Sequence, residues 1–116
     1  MHIFVLDGSD ESVLLKEVLD VVSSKVSFES SSDRAISKLG SSTYDVIVIA
    51  RGQGKSDLLD VAETIKFARA LNKSDIVVVE DHPTLRTKVQ HILRGRKVHV
   101  FKYSQLDGFR KLLSGV

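Results

Sequence analysis

The stretch Thr43-Tyr44-Asp45-Val46-Ile47-Val48-Ile49-Ala50-Arg51-Gly52 constrains the fold of this chain more than any other. Its interior has the Val and Ile content of a strand buried on both faces, and turn residues bound it on either side. Such a strand lies centrally in a parallel sheet, and loops leaving the carboxyl ends of parallel strands form the functional site. Here that exit carries Ala50, an inert methyl where a reactive group is expected.

The rest of the chain supplies four more units of the same kind. His2–Leu6 reads as a short buried strand ending at Asp7-Gly8, and Ser9 or Asp10 caps a helix with Val13, Leu14, Val18, Val21 and Val22 on one face. Lys25–Glu29 is a second strand, and Ser30–Asp33 supply caps for a helix striped by Ala35, Ile36 and Leu39 and stopped at Gly40. After the central strand comes a glycine-bearing loop, 51–56. A third helix follows, with Leu58, Val61, Ile65, Ala68 and Leu71 inward. Asp75–Glu80 is a strand, Pro83 opens a fourth helix facing inward with Leu85, Val89, Ile92 and Leu93, and Gly95 ends it. Val98–Phe101 is the fifth strand, and Leu106, Phe109, Leu112 and Leu113 mark the last helix. Alternating units of this kind predict an α/β fold: a parallel sheet with right-handed crossovers and helices on both faces.

Size and composition exclude several functions. The 116 residues fit one domain, 1–116, with the N-terminal piece of a longer protein as one setting for it. There is no cysteine, so neither thiolate chemistry nor a thiolate zinc site applies. No apolar run approaches the roughly 20 residues of a membrane span, and the start lacks the basic leader of a signal peptide. A cytoplasmic protein without membrane contact is expected. Charge is polarised: residues 1–81 hold 9 basic and 14 acidic residues (−5), whereas 82–116 hold 8 basic and one acidic (+7). The C-terminal third is therefore expected to meet an acidic partner surface or an acidic face of a like molecule, unless its cations are simply solvated.

Three stretches together resemble the receiver domain of bacterial response regulators: Ile3-Phe4-Val5-Leu6-Asp7, Asp33-Arg34-Ala35-Ile36-Ser37-Lys38-Leu39 and Tyr44-Asp45-Val46-Ile47-Val48-Ile49, with Phe101-Lys102 closing the set. The resemblance covers nearly the whole chain. It implies a three-layer, flavodoxin-like (βα)5 sandwich with a five-stranded parallel sheet of order 2-1-3-4-5. An active receiver holds magnesium and accepts a phosphoryl group with acids after its first and third strands, and senses the phosphate with a hydroxyl and a lysine. Matched position by position, the pocket here is degenerate. Asp7 supplies one acid, Gly8 stands where the second belongs, and Ala50 takes the phosphoacceptor position. Glu80 replaces the hydroxyl, Lys102 is kept, Tyr103 replaces the usual proline, and His99 sits near the aromatic switch position. One carboxylate without a phosphate is a poor magnesium site, so no metal, no cofactor and no aspartyl phosphorylation are expected. If Asp7, Glu80 and Lys102 converge, Glu80 stands in for phosphate and pairs with Lys102. The alternative is an exposed pair worth ~0–1 kcal/mol.

Other chemistry fits less well. Gly52-Gln53-Gly54-Lys55-Ser56 looks like a phosphate loop, but Ile49 stands where the first glycine of the motif belongs. Asp7–Asp10 and Glu80-Asp81-His82 loosely resemble the acids of a Toprim domain, a divalent-metal domain acting on nucleic acid, but the paired-aspartate motif is missing. Of the four histidines, only His2 and His99 fall on strands that could lie near each other. Aromatics are too few for a nucleic-acid stacking platform, so nucleic acid is not expected as a partner of this domain alone. The reading is a non-enzymatic, phosphorylation-independent signalling domain in transcriptional or two-component-type regulation. It acts by protein–protein contact or dimerisation through 82–116, the family's output surface, with Arg86, Lys88, Arg94, Arg96 and Tyr103 as contact residues.

Overall fold

A computed structural model of the chain describes residues 2–7, 25–50, 58–68, 71 and 73–114. The helix expected around Val13–Val22, Gly8 and the loop 51–56 lie outside the described residues. Five strands, β1 (His2–Asp7), β2 (Lys25–Glu29), β3 (Val46–Ala50), β4 (Asp75–Val79) and β5 (Val98–Phe101), form one sheet in the order β2-β1-β3-β4-β5. Every pairing is parallel. The helices are α1 (Ser32–Ser41), α2 (Leu58–Phe67), α3 (Pro83–Ile92) and α4 (Leu106–Ser114), the last entered through a single 3-10 turn, Tyr103–Gln105. They match the second to fifth helices expected from the sequence.

The two-residue period of the strands divides the core between the sheet's faces. Phe4, Leu6, Ile47, Ile49, Ile76 and Val78 point to the face covered by α1, α2 and α3, where Leu39, Ile65 and Val89 meet them. Ile3, Val5, Val46, Val48, Ala50, Val77 and Val79 point to the other, where Phe109 and Leu113 of α4 pack. All five residues of β3 are buried, as a central strand requires. Each fully buried Val, Leu or Ile side chain contributes roughly 1.5–3 kcal/mol, so β3 and β4 are the mechanical centre of the domain.

Two helix ends differ from expectation. Gly40 does not stop α1: the helix runs to Ser41, and Ser42 leaves in an extended conformation while its N–H donates to Lys38 O at 3.1 Å. Nothing at Gly40 demands a left-handed backbone, and positive φ occurs instead at Gly95 (φ 92°), in the turn that follows the end of α3 at Ile92. Helix α2 ends at Phe67 rather than Leu71. The chain turns tightly, with Leu71 N–H donating to Ala68 O at 3.0 Å, and Leu71 still reaches the core. Arg96 caps this end: its guanidinium donates to the carbonyls of Ile65 (3.2 Å), Lys66 (2.7 Å) and Leu71 (2.9 Å). It satisfies acceptors that a longer helix would have used itself. His2 and His99 are not neighbours, because β3 and β4 lie between β1 and β5.

Candidate functional site

The sheet register puts the expected pocket positions in a line across the carboxyl ends of the strands. Asp7 is opposite Ala50, Ala50 is opposite Val79, and Val79 is opposite Phe101. Glu80 and Lys102 are the next residues along β4 and β5. Topology therefore brings Asp7, Ala50, Glu80 and Lys102 to one edge, although the Asp7 side chain lies outside the described residues.

Chemically the edge is sealed rather than poised. Ala50 is 3% exposed, and its methyl belongs to the apolar cluster of Val48, Val79 and Phe109. Glu80 is 4% exposed; its Oε2 accepts the His82 N–H at 3.0 Å, while Oε1 is buried without a hydrogen-bond partner among the described residues. Asp81 accepts the Tyr103 N–H through Oδ1 at 2.8 Å. Together with the bond from Glu80 N–H to Phe101 O (3.0 Å), this fastens the β4 exit onto the β5 exit. The Lys102 N–H donates to Gln105 Oε1, and the Gln105 N–H donates to Lys102 O, both at 2.9 Å, so backbone and glutamine lock the turn.

The expected Glu80–Lys102 ion pair does not form. Glu80 is turned into the protein and Lys102 is exposed; among the described residues the ion pair found is Lys38 with Glu29 at 2.7 Å. The described side chains do not gather a magnesium ligand set. Ala50 offers no oxygen, one Glu80 oxygen and one Asp81 oxygen are held by backbone amides, and no group of three or more potential ligands occurs among the described residues. Of the acids that suggested a Toprim-like centre, Glu80 and Asp81 each accept a backbone N–H, and the Asp7 side chain and Asp10 lie outside the described residues. Replacing Lys102 with Met should leave the unfolding free energy within about 0.5 kcal/mol of the parent in a urea titration. A loss above about 1 kcal/mol would mean that the ammonium has a partner after all.

The contact residues expected on 82–116 divide. Lys88 and Arg94 are exposed, Arg86 is half-buried with Nε enclosed and unbonded, and Arg96 is committed to the end of α2. Tyr103 is half-buried against the cluster that holds Val77, Val79 and Phe109, and His99 is half-buried on β5 opposite Val77. Sequence reasoning missed Asp81 as the residue that ties two exits together. An acid just past a strand end and two residues before Pro83 was a legible sign of a loop bond, but Asp81 was weighed only as part of a loose Toprim likeness.

A five-stranded parallel sheet of this order, covered by helices on both faces, is a flavodoxin-like fold, the fold that receiver domains share. The chain is similar to the crystal structure of the phosphorylated cyanobacterial phytochrome response regulator RcpA: the TM-score is 0.72 at 16% identity, over 98% of this chain and 89% of that one. No family model matches the chain, and no curated protein matches it. No described helix is long and apolar enough to cross a membrane.

Proposed function

We propose that this chain is a phosphorylation-independent, receiver-like signalling domain that works by protein contact in transcriptional or two-component-type regulation. The observation that carries this reading is Ala50, a buried methyl at the carboxyl end of the central strand. A methyl has no lone pair with which to attack phosphorus, and phosphoryl transfer also needs cations to neutralise the charge that develops. The similar regulator RcpA is a phosphorylated one; this chain keeps the scaffold without the acceptor. Fastening of the β4 and β5 exits by Asp81 supports a domain held in one state rather than switched. The domain is read as a non-enzymatic, cytoplasmic module, and the exposed cations Lys88 and Arg94 favour an acidic protein surface against 82–116.

The test is to incubate the chain with acetyl phosphate and magnesium, weigh it intact, and then follow its amide NMR shifts with beryllofluoride. No gain of a phosphoryl group and no shifts at Asp7, Ala50 and Lys102 are expected. Acid-stable or acyl phosphate on the chain, or localised shifts at those residues, would overturn the proposal.

A further inference from the structure

A second surface, between α1 and α2, carries features that the fold itself does not use. Between α1 and α2 lies an open groove of about 540 Å³, lined by Ile36, Gly40, Asp60, Glu63, Thr64, Phe67 and Ala68. Phe67 is 75% exposed, the large hydrophobic residue left in solvent among the described residues. Gly40 sits inside a helix, where glycine costs roughly 0.5–1 kcal/mol relative to alanine. Its backbone does not need the freedom, and a Cβ added there would meet nothing within 4 Å. The bare backbone serves no neighbour within the domain; it leaves the groove floor clear.

The polar lining defines what fits. Asp60 and Glu63 are exposed, and neither has an ion pair among the described residues. The Thr64 hydroxyl is already donated to Asp60 O at 3.0 Å within α2. Among the described residues, both charges lining the groove are therefore negative. Lys66 leans over the Phe67 ring with Nζ 5.6 Å from its centroid, the position an ammonium group takes over an aromatic face. Each helix presents ten residues, or ~15 Å of groove, the length of about three turns of a docked helix. We infer that the α1–α2 groove binds a basic amphipathic helix of a protein partner, its apolar side against Phe67 and Gly40 and its Lys or Arg residues against Asp60 and Glu63. A second copy is a poorer occupant. Residues 82–116 offer the matching charge, but among the described residues of that stretch no large apolar side chain is exposed to meet Phe67.

A fluorescein-labelled peptide of about 16 residues, with Leu at i, i+3, i+4 and i+7 and Lys and Arg on the flanks, serves as the probe. Anisotropy titration with the whole chain should give saturable binding that weakens as salt rises. Phe67→Ala, the pair Asp60→Lys with Glu63→Lys, and Gly40→Leu should each weaken it about tenfold with circular dichroism unchanged, and a shuffled peptide of equal composition should not bind. Equal binding of the ordered and shuffled peptides, or no binding, would overturn the inference. So would indifference to the three variants, or amide shifts confined to 82–116. Self-association of the chain that Phe67→Ala abolishes would also overturn it, by placing a second copy in the groove. The phosphorylation test probes the opposite property at a different site, so either reading can fail alone.

Discussion

Phe109→Ala is expected to destabilise the domain by about 3–5 kcal/mol, the cost of emptying a large aromatic site in a packed core. Phe109 is fully buried and joins α4 to the strand face that contains Val48, Ala50, Val77 and Val79. Its ring meets Phe101 of β5 edge-on, with centroids 6.3 Å apart at 75°, a geometry worth ~0.5–1.5 kcal/mol beyond area burial. Gly108 makes this approach affordable: a Cβ there would stand 3.0 Å from Cε1 of Phe101. Little of the site will collapse to fill the void, because the strands beneath are fixed by pairing on both sides. Against a total of roughly 5–15 kcal/mol for a domain, the loss should move the urea midpoint far down while leaving the slope unchanged. A change below about 1 kcal/mol would mean that α4 is not held where the structure puts it. Because β5 and α4 also carry the proposed partner face, any loss of partner binding in this variant must be judged at temperatures where it remains folded.

What the sequence displays depends on whether the signal is local. The Val and Ile runs of β3 and β4 were legible because burial on both faces demands continuous apolar residues. Pro83 and Gly95 were legible because each carries its backbone preference with it. Arg96 was not, since its acceptors are main-chain carbonyls 25 to 31 residues away, which look the same at every position. Glu80 and Lys102 show a related limit: opposite signs at adjacent strand ends imply attraction, yet they do not say that one side chain turns inward and the other outward. Phe67 had a visible signal that went unused. It is a large aromatic off the stripe made by Val61, Ile65 and Ala68, and a large apolar residue outside the buried stripe marks a surface that something else covers.

Arg96→Met should cost about 2–3 kcal/mol, whereas Arg94→Met, one turn-residue from it, should stay within about 0.5 kcal/mol. Methionine preserves much of the aliphatic stem, so the difference reports the guanidinium itself. That group gives three hydrogen bonds, of 2.7, 2.9 and 3.2 Å, to the last carbonyls of α2 and to Leu71. Its charge also lies at the negative end of the helix dipole. A bond to a charged group is worth about 1.5–3 kcal/mol when buried, but Arg96 is only half-buried, so three such values cannot be summed. Arg96→Lys should recover a minor part, because an ammonium is a point charge and cannot span the acceptors as a planar fork does. Hydrogen exchange gives the local readout: the amides of Ala68 and Leu71, which bond within the same turn, should lose protection before the strands do. The pair of variants also separates two roles for the basic third of the chain. Lost stability with partner affinity retained makes Arg96 an internal clamp for α2. Retained stability with lost affinity would return it to the contact surface and leave the end of α2 held by its own turn.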